Sequence, residues 1–334
     1  MISERASLQR MVAESGLAKR LDPKAGALVA LVTPDAIEVV ELGAGVSATT
    51  PMEIGSLTKP FTALLLAESV RRGELQLSDR ADEILFGASW GGASAITVGE
   101  LATHTSGLPR LSFGLLGAIK PDPYRRYTRS DLLAYLDRTR PRRPANPAFS
   151  YSNLGYAVLG LILEKAASQE FAKLLQQRVL APMAMGHTGL QLAVGSDLAC
   201  GGYNMFGLRA SLWHMDGYAP CGAMVSPLED LTLAVRCFLD PGSALATALS
   251  LTTQPRFSVA SGSIGLAWML PSAGNAFWHN GGTAGYSSYL GVNTQGRMAV
   301  LLLASQALPK ETTKLGTELM RLIHHTSTAP ESAE

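Results

Sequence analysis

The spacing of apolar positions changes several times along the chain. Residues 3–18 bring Leu8, Met11, Val12 and Leu17 to one side, which predicts an amphipathic helix. Residues 27–33 and 36–42 are two apolar runs about Pro34-Asp35 and predict a hairpin. Residues 56–72 are mostly apolar without strand alternation. They predict a buried helix that stops at Arg71-Arg72-Gly73, with Pro60 early enough for the first turn.

The middle of the chain reads as helical and irregular. A short helix is expected at 98–103, running into the turn-rich His104-Thr105-Ser106-Gly107-Leu108-Pro109. Residues 110–130, with Pro121 and Pro123, read as loop, and helices follow at 154–167, 170–179 and 227–239. After about residue 255 strand-like runs appear at 262–270, 276–279, 286–292 and 298–304. Asn293-Thr294-Gln295-Gly296 supplies a turn between the last two, and 310–325 reads as a closing helix. Strands at both ends with helices between them predict an α+β fold. Its antiparallel sheet is built from the N- and C-terminal segments, is flanked by helices, and carries an inserted, mainly helical subdomain. The expected division is an α/β part of about 1–72 and 255–325, a helical part of about 73–254, and a tail at 326–334. A cleft between the two parts is the natural place for a site.

Composition narrows the function classes. Of the 334 residues 47% are apolar and 16% charged, below the roughly 25% charged share of an average soluble chain, so a large core is expected rather than disorder. Basic and acidic residues number 28 and 27. Such a balance gives no field for a nucleic-acid backbone or an anionic membrane, and the expected partner is a small-molecule substrate. Cys200, Cys221 and Cys237 are too few, and odd in number, for a disulfide framework. Charges interrupt the first 24 residues, and the longest apolar runs fall far short of the roughly 20 residues that span a bilayer. A soluble, cytoplasmic protein is expected.

Several chemistries lack their signatures. The sequence has no His-Glu-x-x-His, its six histidines are scattered, and no Walker A loop is present, so neither a metal nor another cofactor is expected. Gly43-Ala44-Gly45-Val46-Ser47-Ala48 fits a dinucleotide loop in spacing, but Thr49-Thr50-Pro51 follows where a helix should open. Ser56-Leu57-Thr58-Lys59 remains. On a helix, i and i+3 share a face, so the Ser56 hydroxyl can meet the Lys59 amine. A serine needs a base, and an amine in apolar surroundings loses its charged form more easily. The helix N-terminus adds N–H groups for a developing oxyanion. Alone the tetrapeptide is weak, since about one Ser-x-x-Lys is expected by chance in such a chain.

Two further segments alter that balance. Tyr151-Ser152-Asn153 is the only Tyr-x-Asn in the chain. Its phenol can relay a proton and its amide can hold a substrate carbonyl. The plainer alternative is an aromatic cap with Asn153 as helix N-cap. His279-Asn280-Gly281-Gly282 follows the strand-like Ala276-Phe277-Trp278, and its glycines let a substrate approach the backbone; a hairpin turn with a surface histidine explains it about as well.

Together these segments resemble the three ordered motifs of the penicillin-recognising serine hydrolases. The resemblance is to the class C β-lactamase-like branch, with its D,D-peptidases, D-aminopeptidases and family VIII carboxylesterases. Residues 54–62, 101–109, 149–155 and 279–286 carry it, and it extends from about 25 to 325. It implies the β-lactamase/D,D-peptidase-like fold, Ser56 as acylated nucleophile, and Lys59 and Tyr151 sharing the proton transfers. It further implies Asn153 orienting the substrate carbonyl or amide, His279, Asn280, Gly281 and Gly282 along the substrate, and an oxyanion hole from the N–H groups of Ser56 and Gly282. The third motif departs from the family, in which Lys and Thr usually precede the Gly. His279 is expected to be charged for only part of the neutral range, and Asn280 offers an amide in place of a hydroxyl. The expected activity is therefore that of a metal-free serine hydrolase on a small ester or amide, with weak or no action on β-lactams. The alternatives are an acyltransferase or thioesterase using the same acyl-enzyme, and a catalytically silent binding protein. His104 is expected to hold its turn, Cys221 to be a buried thiol, Arg125, Arg126, Arg140, Arg142 and Arg143 to be solvated, and Tyr203, Phe206, Trp213 and His214 to line either the cleft or the core.

Overall fold

The computed structural model describes residues 2–89, 94–112, 120–191, 201–272 and 276–328; Cys200 and the end of the tail lie outside them. An eight-stranded antiparallel sheet forms the frame. Its strands are β1 (Gly26–Val32), β2 (Ile37–Gly43), β6 (Phe257–Val259), β7 (Gly262–Ile264), β8 (Met269–Pro271), β9 (Ala276–Gly282), β10 (Ser287–Asn293) and β11 (Met298–Ala304). They run in the order β2-β1-β11-β10-β9-β8-β7-β6. Both chain ends meet where β1 pairs with β11, from Ala27 opposite Ala304 to Val32 opposite Ala299. The remaining strands, β3 (Met52–Glu53), β4 (Gly189–Leu190) and β5 (Met224–Ser226), form a small second sheet in the order β3-β5-β4.

The central strands do not alternate, because both of their faces are covered; β10 is buried along its whole length. On one face Val29, Tyr289, Val300 and Leu302 pack with Leu8 and Val12 of the Ile2–Glu14 helix and with Leu315 and Leu319 of the Pro309–Thr328 helix. On the other, Leu28, Ala30, Leu290, Leu301 and Leu303 join the main core around the Thr58–Arg71 helix. That helix is buried from Thr58 to Ser69, so it lacks a polar face, as its apolar run predicts. Among the described residues no helix is long and apolar enough to cross a membrane.

The expected α+β layout is the observed one, and the differences are local. The first helix ends at Glu14, where left-handed Gly16 (φ 69°) turns the chain, and Leu17 packs from a single 3-10 turn. The run 262–270 is two strands, not one, because residues 265–268 form a tight turn: Gly265 N–H donates to Trp268 O at 2.9 Å and Ala267 has φ 70°. The expected loop at 110–130 gives way to a helix at Arg129–Thr139, started by a reciprocal Thr128–Asp131 capping box. The Ser56 helix begins later than its pattern suggests. Gly55–Leu57 is a 3-10 turn and the α-helix runs from Thr58, which puts Pro60 among first-turn positions that need no donor.

Candidate active site

The Ser56 turn is held between the two sheets by backbone contact. Ile54 N–H donates to Met224 O at 3.0 Å, and Ser288 Oγ donates to Ile54 O at 2.7 Å. Two glycines permit the close approach. Gly55 has φ 52°, and a Cβ there would lie 2.8 Å from both N and O of Gly282. A Cβ on Gly281 would lie 2.1 Å from Ile54 O. Gly281 is thus required by the packing of the turn on β9, a different reason from access of substrate to the backbone.

This contact places two backbone donors near each other. Ser56 lies in the opening turn, where N–H groups have no intrahelical acceptor. Thr283 N–H donates to Tyr286 O at 3.0 Å, which makes that a hydrogen-bonded pair. The neighbouring pair, Gly282 with Ser287, is then of the non-bonded kind, and the Gly282 N–H points away from β10. Strand β9 continues through Gly282, so the segment is not the hairpin turn; that turn begins at Thr283.

Lys59 is fully buried. Its Nζ donates to Ser56 Oγ at 3.1 Å, to Asn153 Oδ1 at 2.9 Å and to Cys221 O at 2.8 Å. These three acceptors saturate an ammonium. A neutral amine is equally satisfied, with two N–H groups on Asn153 and Cys221 and its lone pair accepting from the Ser56 hydroxyl. The proton can therefore move between Ser56 and Lys59 without stranding a buried polar group.

Asn153 sits differently from its two sequence readings. The N-cap of the Asn153–Ala167 helix is Ser152, whose Oγ accepts from Gly155 N–H at 2.9 Å. The Asn153 amide instead holds Lys59 through Oδ1 and donates through Nδ2 to the Tyr124 hydroxyl at 3.1 Å. It orients the amine, and the second N–H of its Nδ2 is left for another acceptor.

The half-buried Tyr151 ring lies 4.8 Å from Lys59 Nζ and 5.3 Å from the Arg110 guanidinium. Among the described residues its hydroxyl makes no hydrogen bond, so it can turn to an incoming group. The His104 ring packs against Tyr151 at 4.5 Å. His104 is buried with φ 59°, and its Nδ1 accepts from Ser152 N–H at 3.1 Å. It holds the turn, as expected, and burial together with nearby Lys59 pushes its pKa well below the usual histidine value.

The third motif splits by strand alternation. His279 is buried on the face of β9 toward Tyr151, 6.4 Å from that ring, and its Nδ1–H donates to Asn280 O at 2.6 Å, while Asn280 and not His279 lines the cleft. Burial first, then Lys59, lowers its pKa from 6.5 to about 3. His279 is thus neutral through the whole neutral range, which corrects the expectation of partial charge. Asn280 lies on the opposite face; its Nδ2 donates to Thr313 Oγ1 of the terminal helix at 2.8 Å, so its amide is tied there.

A cleft of about 1170 Å³ opens over Ser56, Tyr151, Gly281 and Gly282. Phe206 and Arg110 also line it. Trp213 and His214, both half-buried, instead belong to a polar cluster about the residue three before Ser56. Its centre is Glu53, whose carboxylate accepts from Thr283 Oγ1 at 2.7 Å and Trp213 N–H at 2.8 Å. Burial raises the Glu53 pKa from 4.5 to about 7. The sequence reading passed over Glu53 and Arg110. The available signals were an acid between apolar Met52 and Ile54, and a cation directly after the His104–Pro109 turn. The buried Cys221 thiol, pushed up to about 11 by burial, is inert, and the residue contributes its carbonyl. The spacing Gly-x-Ser-x-Gly occurs at Gly87-Ala88-Ser89-Trp90-Gly91. There Gly87 caps a helix and exposed Ser89 pairs with Arg80, which is no strand-to-helix elbow. Among the described residues no three His, Cys, Asp or Glu side chains gather as metal ligands.

The chain is similar to known proteins over most of its length. It is 26% identical over 296 residues to protein flp of Staphylococcus aureus (strain COL), covering 82% of this chain and 57% of that protein. The chain therefore spans little more than half the length of that relative. In structure it resembles the D-alanine carboxypeptidase AmpC from Burkholderia cenocepacia, with TM-score 0.78, 22% identity, and 96% and 100% of the two chains covered. It equally resembles a β-lactamase from Sulfitobacter sp. EE-36, with TM-score 0.80, 20% identity, and 96% and 99% covered. The family model described as Beta-lactamase matches residues 15–325, and the chain, with its antiparallel sheet and Ser56–Lys59 pair, belongs to that family.

Proposed function

We propose that the protein is a serine hydrolase that passes through an acyl-enzyme on Ser56. The observation that carries this reading is the Lys59 amine, buried and satisfied in both protonation states, 3.1 Å from the Ser56 hydroxyl. Ser56 Oγ attacks the substrate carbonyl while its proton moves to Lys59. The oxyanion is met by the N–H groups of Ser56 and Gly282. Lys59 and the unengaged Tyr151 hydroxyl return a proton to the leaving group. Water then attacks the ester carbon of the acyl-enzyme, and Ser56 regains its proton.

The third motif supports neutral ester or amide substrates over carboxylated β-lactams, although Arg110 elsewhere in the cleft carries a positive charge. His279 is neutral and Asn280 is engaged with Thr313, so the third motif presents no fixed charge to a carboxylate. A charge-assisted hydrogen bond contributes about 1.5–3 kcal/mol, and its loss weakens recognition of an anion by roughly tenfold to a hundredfold. The test compares kcat/KM for p-nitrophenyl acetate and a chromogenic cephalosporin, with mass spectrometry of the intact protein. The expected result is faster ester turnover and an acyl adduct on Ser56, both absent in Ser56→Ala. Activity retained in Ser56→Ala removes the mechanism, and a preference for the cephalosporin removes the substrate reading.

A further inference from the structure

Large apolar side chains left exposed are few among the described residues, and three of the five, Met205, Phe206 and Leu208, fall within four positions. Phe206 is 77% exposed. The segment that carries them is a well-formed turn. Asn204 N–H donates to Leu208 O at 2.8 Å, and Asn204 Oδ1 accepts from the N–H groups of Phe206 and Leu208 at 2.9 and 3.0 Å. Its base is tied to the end of β11: Tyr203 N–H donates to Ser305 O at 2.9 Å, and Ala307 N–H donates to Tyr203 O at 2.8 Å. A turn anchored in this way holds its apolar side chains in water instead of folding them inward. Exposed apolar clusters of this kind mark binding surfaces.

The turn stands on the cleft that contains Ser56. Met205 and Phe206 line that cleft together with Ala284, Leu308 and Pro309, which supply an apolar wall beyond Gly282, and the same cleft is lined by the charged Arg20, Lys310 and Glu311. We propose that this wall is a subsite for an apolar chain of the substrate, attached next to the carbonyl that Ser56 attacks. The inference rests on the serine-hydrolase reading and names its substrate class: esters or amides bearing an extended alkyl or aryl group, in preference to those with only short groups on both sides of the carbonyl. The chain can belong to the acyl part or to the leaving alcohol; the chemistry the wall recognises is the same.

Two ester series test the proposal and separate these sources. One is p-nitrophenyl esters from acetate to octanoate, and the other is acetate esters of methanol through octanol. Burial of one methylene corresponds to up to about fourfold, so kcat/KM is expected to rise about two- to fourfold per methylene in one series. In Phe206→Ser and Met205→Ser the ratio of longest to shortest ester is expected to fall at least tenfold. In Leu322→Ser, which removes an exposed apolar side chain on the terminal helix, the ratio stays as in the wild type. The proposal is overturned if p-nitrophenyl acetate acylates Ser56 but both series are flat, or if the Phe206 and Met205 variants keep the wild-type ratio; the hydrolase reading then stands. If no ester acylates Ser56, both fall together.

Discussion

Replacing Glu53 by glutamine is expected to flatten the pH dependence of stability. The carboxyl is buried and its pKa is raised from 4.5 to about 7, chiefly by loss of hydration and further by Asp122; the hydrogen bonds from Thr283 and Trp213, and nearby His214, oppose the rise. The folded state then holds this proton more tightly than the unfolded chain does. The stabilisation is complete below about pH 4.5 and is lost as pH rises through about 7. A rise of this size corresponds to about 3 kcal/mol, most of which falls between pH 5 and 8. The introduced glutamine would mimic the protonated acid, its oxygen accepting from Trp213 N–H and its amide donating to Thr283 Oγ1. Urea unfolding of both proteins at pH 5, 6, 7 and 8 measures the effect, and titrations elsewhere cancel in the comparison. The wild type is expected to lose roughly 2–3 kcal/mol more than Glu53→Gln across that range. Parallel curves would refute the burial argument.

Two further outcomes follow from the geometry. Gly281→Ala drives a Cβ against Ile54 O and shifts the nucleophile turn by roughly 1 Å, so kcat for p-nitrophenyl acetate is expected to fall about a hundredfold with a destabilisation of about 1–3 kcal/mol; activity within twofold of wild type contradicts it. The His279 ring is expected to keep its neutral NMR chemical shifts from pH 8 down to pH 5, and a midpoint near 6.5 would contradict its burial beside Lys59.

Much of the frame was legible because its signals are local. The runs 27–33 and 298–304 are apolar on both faces of their strands, and 56–72 is apolar all round its helix, so each declares its burial without reference to a partner. Ser56 and Lys59 were legible for the same reason, since i and i+3 spacing needs only a helix. The missed features depend on the partner. Asn153 reads as a cap until Lys59, distant in sequence, turns out to hold its oxygen. Asn280 reads as a donor to substrate until the terminal helix brings Thr313 to it. The charge state of His279 depends on burial beneath elements that its own strand does not specify.

These distant contacts also explain why the candidate site belongs to the seam between sheet and helices. Ser56 is held on the large sheet by Gly281 and Ser288, and on the small second sheet by Met224 through Ile54. Lys59 takes its other two partners from Asn153 and Cys221, both in the middle of the chain. Glu53 ties Thr283, directly after the second oxyanion donor, to Trp213 in the helical part. A small slip of one sheet against the other would therefore move the Ser56 hydroxyl, the Lys59 amine and the Gly282 N–H together. The hydrogen bonds buried at this seam are costly to leave unmade, which opposes such a slip. The apolar residues about Phe206 lie on the same cleft, where no such partner among the described residues covers them, and under the two proposals above that difference in surroundings would separate a surface that fixes the reacting groups from one that selects what reaches them.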